Sequence, residues 1–177
     1  MRNKIEYKVQ NVEEDSIYQE KLFAKGIAAS LGIVAILMLF FLVYLVIERS
    51  FDEGTGLFWF FLIMFLIFFF LTWNFGWLSI KMTFHFISVG YGIIKHTEHW
   101  ENVADCRQDD VSAIKYGGFG IRVAKIKGKT RLVYNTIGTP RCVLSLKGGK
   151  FQEFVFSTKN PEEVINVIRG QLALKHL

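Results

Sequence analysis

Only two of the 177 residues are cysteine, Cys106 and Cys142, too few for a disulfide framework. In a cytosolic domain both are expected as reduced thiols, packed as small buried hydrophobes. Charge is missing over much longer distances. From Ile27 to Ile47 there are 21 residues, and from Leu57 to Ile80 there are 24, without one Asp, Glu, Lys, Arg or His. At about 1.5 Å per residue each run spans a hydrocarbon core of about 30 Å. Ionisable side chains inside a span are the usual mark of an ion path or a proton relay, so their absence argues against transport by this chain alone. The first run starts late, exceeds an h-region in length, lacks an A-x-A type exit and is followed by a second run. It is therefore expected to be a retained span rather than a signal peptide.

Motifs for chemistry are missing too. Gly128-Lys129-Thr130 lacks the first glycine of a P-loop, because position 123 is Val123, and no G-x-G-x-x-G opens a helix. There is neither a G-x-S-x-G elbow nor an obvious Cys and His arrangement. His96 and His99, with Glu98 and Glu101 nearby, hint at a metal cluster. On a strand, however, the two histidines point to opposite faces, and no Cys pair supports them. Surface polar residues are the expectation; no metal, no other cofactor and no enzymatic activity are expected.

The charge that is present is unevenly placed. Residues 1 to 25 carry five basic and five acidic side chains, whereas residues 81 to 177 carry 15 basic against 8 acidic, which accounts for the net charge of +5 together with a mildly acidic insert. Lys21 and Lys25 abut the first span and Lys81 abuts the second, while the insert Glu48 to Gly56 has only Arg49. The positive-inside rule then puts both termini in the cytoplasm and the short insert outside, in an inner membrane crossed twice. This divides the chain into a cytoplasmic segment 1–26, a transmembrane hairpin 27–80 made of spans 27–47 and 57–80, and a cytoplasmic domain 81–177.

Local signals fill in that outline. Ser16 followed by Gln19 resembles a capping box, and Ile17, Tyr18, Leu22 and Phe23 among charges predict a short amphipathic helix within 11–25 running into the first span. Ala28 and Gly32 form a small-xxx-small pair suited to close approach by the second span, which ends in Trp73, Asn74, Gly76 and Trp77. After Ile80 short alternating stretches predict strands at Met82 to Ser88, Tyr91 to Lys95, His99 to Val103, Arg131 to Asn135, Cys142 to Leu146 and Phe151 to Ser157. Lys147-Gly148-Gly149-Lys150 reads as a hairpin turn. Asn160 as N-cap, Pro161 at the first helical position and Glu163 completing a box predict a final helix, with Val164, Ile165, Ile168 and Leu172 as its apolar stripe.

Three stretches carry a family likeness: Tyr116-Gly117-Gly118-Phe119-Gly120-Ile121-Arg122, Cys142-Val143-Leu144-Ser145-Leu146 with Gly148, and Phe156-Ser157-Thr158-Lys159-Asn160-Pro161-Glu162. Over roughly residues 81 to 172 the chain resembles bacterial two-span proteins that contain a pleckstrin-homology-like (PH-like) domain. The resemblance implies a transmembrane hairpin followed by a PH-like antiparallel β barrel or sandwich of six or seven strands with a C-terminal amphipathic α-helix. It brings no settled activity and no catalytic residues, and fold alone does not give function.

Two candidate features remain. Gly117, Gly118 and Gly120 are expected to form a structural loop or bulge where the backbone comes close to a neighbour or takes positive φ, beside which Arg122 anchors carbonyls or faces a partner. Arg122, Lys125, Lys127, Lys129 and Arg131 fall within ten residues without an acid, and the alternation of the last four predicts one basic face on a hairpin. Such a face serves a solvated sheet edge, an acidic partner protein or anionic head groups; nucleic acid is not expected. The leading expectation is a membrane-anchored, non-enzymatic binding module, acting as an accessory subunit or scaffold in a membrane complex or homo-oligomer. An anionic-lipid sensor using the basic hairpin is the alternative, and a small membrane enzyme comes third.

Overall fold

The computed structural model describes residues 16–48 and 51–175, with the backbone alone over 51–55. Its order begins with a strand. Tyr18–Phe23 forms β1, Lys25–Ile47 α1 and Phe51–Phe75 α2. Eight strands follow: β2 (Trp77–Met82), β3 (Phe86–Tyr91), β4 (Ile94–His99), β5 (Val103–Gln108), β6 (Gly120–Ile126), β7 (Lys129–Asn135), β8 (Arg141–Leu146) and β9 (Glu153–Ser157). Pro161–Leu174 closes the domain as α3. Short 3-10 turns lie at Trp100–Asn102 and Ala113–Tyr116.

Several expectations change. Tyr18 to Phe23 is not an amphipathic helix: the alternation of Tyr18 and Leu22, buried, with Gln19, Lys21 and Phe23, exposed, is a period-2 pattern that pairs with β2. The part of that expected helix before Ser16 lies outside the described residues. Trp77 to Ile80 is likewise strand, not span, and β1 and β2 pair antiparallel from Tyr18↔Met82 to Phe23↔Trp77. The domain therefore comprises 16–23 together with 77–175, and the helix hairpin is inserted between two neighbouring strands. Helix α2 begins at Phe51, inside the polar insert Glu48 to Gly56.

The apolar helices are long enough to cross a membrane, and 11% and 0% of their most apolar windows are buried. Neither is a core helix of the β domain. They pack on each other instead: Ala35 and Leu42 of α1 are buried, Phe41 stacks on Phe61 with ring centroids 5.1 Å apart, and Gly32 faces Thr72. The small residue at 32 thus admits the close approach that its spacing predicts.

Four strands form one sheet in the order β1-β2-β3-β4, and five form a second in the order β5-β8-β9-β7-β6. In place of the expected barrel or sandwich of six or seven antiparallel strands, the described residues form two sheets of nine strands, with one parallel pair, β7 with β9. Between the sheets lies the main core, with Leu22, Leu78, Ile80, Ile87 and Tyr91 from the first meeting Leu132, Leu144, Phe154 and Phe156 from the second. The Trp100 ring is buried in it, and its Nε1 donates to the Thr83 carbonyl at 2.8 Å. Tyr91 donates to the Asn135 carbonyl at 2.7 Å, and burial raises its phenol well above the usual range. Cys106 and Cys142 are buried between β5 and β8; a Cys142 contact and burial push the Cys106 thiol far up.

Other boundaries move by a few residues. The stretch Met82 to Ser88 holds the β2–β3 turn at 83–85 and the start of β3, Tyr91 to Lys95 holds the β3–β4 turn at 92–93 and the start of β4, and His99 to Val103 holds the 3-10 turn. The Lys147-Gly148-Gly149-Lys150 turn does join β8 to β9, but with a loop longer than two residues, because the next bond runs from Leu146 N to Gln152 O; only Gly149 has positive φ, 108°. The final helix forms as expected and buries Val164 and Ile168, running through Gly170. Its cap differs: Asn160 makes no side-chain cap bond and Glu163 closes no box, while the Thr158 hydroxyl accepts from Asn160 N at 3.2 Å.

Candidate functional site

The helix hairpin defines two ends of the β domain. At the near end Ala24 N donates to Gly76 O at 2.8 Å, and the Phe23 and Trp77 rings lie 5.0 Å apart, so the helices leave the sheet as its last paired residues separate. Asn74 of α2 is buried, and its Oδ1 accepts from Ile93 N at 3.0 Å in the β3–β4 turn. Gly92 makes that contact possible: its φ is +48°, and a Cβ there would lie 2.6 Å from the Asn74 carbonyl oxygen. Gly92→Ala is expected to cost the full chain about 2 kcal/mol through left-handed strain and overpacking. Asn74→Ala should cost about 1 kcal/mol. Both are read as thermal midpoints in detergent, and unchanged amide exchange at Ile93 in the Asn74 variant would rule this coupling out.

The glycine loop also belongs to the near end. Gly117, Gly118 and Gly120 all have positive φ, at 77°, 104° and 92°, as their pattern predicts. The Asn135 side chain donates to the Gly118 carbonyl at 2.8 Å and fixes the loop. That brings Phe119 and Ile137 against Gly26, where an added Cβ would meet both side chains, while Gly120 faces Ile27. The loop seats the start of α1. Arg122 is exposed, with one long bond of 3.5 Å to the Ile121 carbonyl.

The basic hairpin points the other way. Strand β6 starts at Gly120 beside α1 and runs seven residues to Ile126, so the Lys127-Gly128 turn lies about 20 Å from the helices. Its basic residues do not share one face. Arg131 pairs with Ala124 and Lys129 with Ile126 on the outer side of the sheet, Arg122 shares that side, and Lys125 opposite Thr130 is on the other. Lys127 sits in the turn itself, with φ 50°. A bond of 2.9 Å from Gln152 N to Thr130 O sets the β8–β9 loop beside this turn, adding Lys147 and Lys150 to the far end.

Arg131 and Lys129 are engaged in a charge network. Arg131, 3% exposed, places Nε 2.6 Å from Glu153 Oε2, and Lys129 Nζ and Arg107 Nη2 donate to Glu153 Oε1 at 3.2 and 3.0 Å. Asp109 accepts from Arg141 Nε at 2.8 Å and from the Tyr116 hydroxyl at 3.1 Å, and Arg131 Nη1 stands 3.6 Å from it. Tyr116 lies under both guanidinium groups, 5.9 Å from that of Arg131 and 5.5 Å from that of Arg141. Burial pushes its phenol up to about 12, against the opposing pull of Arg131. For Glu153, burial acts upward, but the contacts with Lys129, Arg131 and Arg107 outweigh it and hold the carboxyl below its usual range. Four cations around two carboxylates bind the second sheet to the 109–119 segment; this is an internal brace, and it withdraws Arg131 from any surface role.

A second basic surface escaped the sequence reading. On the outer side of the first sheet, Lys21, Ser79, Gly90 and Lys95 stand in one row across β1 to β4, and Gln19, Lys81, Ser88 and Thr97 form the next. Lys21, Lys81 and Lys95 line a single depression of about 250 Å³. It continues past Ser79 toward Phe70, Trp73, Trp77 and Ile93. The signal was the alternation Trp77-Ser79-Lys81, hidden because those residues follow an apolar run without a break.

His96 and His99 do lie on opposite faces of β4; His96 contacts Glu98 at 2.8 Å and packs on Phe154, with ring centroids 4.7 Å apart. The arrangement as a whole is a helix hairpin set into a two-sheet domain with one basic surface near the helices and another far from them. No family model, curated protein or solved structure matches the chain.

Proposed function

We propose that the chain is a membrane-anchored, non-enzymatic binding module: a PH-like domain held at the cytoplasmic face of an inner membrane as an accessory subunit or scaffold. The observation that carries this reading is the insertion of two exposed apolar helices between paired strands, without a linker at either junction. Anchored in this way, the domain stands upright on the bilayer and turns Lys125, Lys127, Lys147 and Lys150 away from it. An acidic protein surface fits that far end better than the head groups of the same membrane, which lie beyond the reach of a lysine about 20 Å distant. The brace around Glu153 supports a fixed platform.

A photo-crosslinker at Lys127 in the full chain is expected to trap one partner that copurifies in mild detergent at fixed stoichiometry. Recovery should fall with salt and with the triple change Lys125→Gln, Lys127→Gln, Lys150→Gln. A solitary chain, or capture indifferent to both, defeats the scaffold reading.

A further inference from the structure

We infer that the depression formed by Lys21, Lys81 and Lys95 binds the phosphate head group of an anionic phospholipid from the bilayer that holds the chain. The inference rests on the membrane anchoring proposed above and adds a ligand and a site to it.

Three observations converge. The first is charge. The outer side of β1 to β4 presents Lys21, Lys81 and Lys95 with the hydroxyls of Ser88 and Thr97, and the residues sharing these rows include no acid. Glu20 also lines the depression, but its carboxylate is taken up by the Thr158 hydroxyl and Lys159 N, which donate to it at 2.6 and 2.8 Å. None of the three lysines forms an ion pair among the described residues, in contrast to Lys129 and Lys175. Strands about 4.8 Å apart place the Lys21 and Lys81 Cα atoms about 8 Å from each other, with Lys95 two strands beyond Lys81, so flexible ammonium groups converge on one phosphate.

The second is depth. Phe23 and Trp77 are the last pair before the helices, and the Lys21–Ser79–Lys95 row lies two residues further, about 7 Å along the strands. Trp73, 78% exposed, and Trp77, 52% exposed, mark the aromatic belt of a span. The lysine row thus falls in the head-group layer, which occupies about 5 to 8 Å beyond the hydrocarbon.

The third is continuity. The depression opens along Ser79 into a groove lined by Phe70, Trp73, Trp77 and Ile93, all apolar and exposed. A lipid fits both parts at once, its phosphate among the lysines and its acyl chain along α2. A soluble anion uses only the first. Gly90 shapes the floor between Ser79 and Lys95: a Cβ there would lie 2.5 Å from the Lys95 Cα. The Ser79 hydroxyl is turned onto the Gly90 carbonyl, 3.2 Å away.

The test uses the full chain reconstituted in phosphatidylcholine bilayers, in which tryptophan fluorescence is quenched by brominated phosphatidylglycerol or by brominated phosphatidylcholine. About a tenfold preference for phosphatidylglycerol is expected, falling to near unity in Lys21→Gln/Lys81→Gln/Lys95→Gln. The far-end triple Lys125→Gln/Lys127→Gln/Lys150→Gln should retain it. If the near-end triple fails to fold, the three single variants read the same quantity, each losing part of the preference. Equal quenching by both lipids in the unaltered chain, or equal loss in both triples, overturns the inference. So does displacement of the lipid by millimolar glycerol phosphate, which would mark a site for a soluble anion. Absence of quenching by either lipid would instead defeat the membrane anchoring itself.

Discussion

A fragment that begins at Lys81 is expected not to fold, whereas a chain in which Asn-Gly replaces residues 24–76 is expected to fold as a soluble domain. The fragment lacks β1 and most of β2, and with them Leu22, Leu78 and Ile80, each at most 2% exposed. Losing three such side chains forfeits about 5 to 9 kcal/mol, comparable to the whole stability of an ordinary domain. It also leaves β3 as a raw edge beside an open core. The second chain keeps every pair from Tyr18↔Met82 to Phe23↔Trp77, and a two-residue turn suits strands whose last residues already face each other. Circular dichroism and a cooperative thermal transition decide the matter. A cooperative transition in the Lys81 fragment, or its absence in the Asn-Gly chain, contradicts the continuous β1–β2 ladder.

The second large effect concerns the brace on the second sheet. Glu153→Gln leaves Arg131, 3% exposed, with its nearest full countercharge 3.6 Å away at Asp109, already shared with Arg141. Breaking a buried pair from one side costs about 3 to 5 kcal/mol. Changing both partners, Arg131→Met with Glu153→Leu, should recover much of that loss, since no charge is then stranded. Acidification gives an independent reading. The Glu153 carboxyl is held below its ordinary value of 4.5, so its contribution is present above that pH and disappears as pH falls through the lower, folded-state value. The unaltered domain therefore loses this increment on acidification, and Glu153→Gln does not. Denaturant midpoints across the acid range compare the two, and parallel curves would show that Glu153 is not the titrating group.

Residues whose neighbours lie close in sequence were legible. The α3 stripe, the strand from Cys142, the positive φ angles of Gly117, Gly118 and Gly120, and the opposite faces of His96 and His99 all follow from local period or local sterics. Partners distant in sequence were not. Tyr18 to Phe23 satisfies an amphipathic helix about as well as a strand until its partner Trp77 to Met82 is known, and that partner continues an apolar run without a marker. Arg131 looked like its neighbours Lys127 and Lys129 because nothing local shows Glu153 and Asp109 closing over it. The lysine depression needed the register of four strands, which composition does not contain.

The placement of the helices between β1 and β2 also bears on how the protein is made. Strand β1 leaves the ribosome before both helices, and its partner β2 follows only after they have been synthesised. On the proposed anchoring, β1 and β2 meet only if the chain crosses the bilayer twice and returns to the side where it began. A chain that inserted one helix alone would strand the two halves of the first sheet in different compartments, leaving Leu22 and Ile80 without the layer that covers them. On that anchoring a completed first sheet excludes insertion of one helix alone, and a chain caught in that state is open to proteolysis.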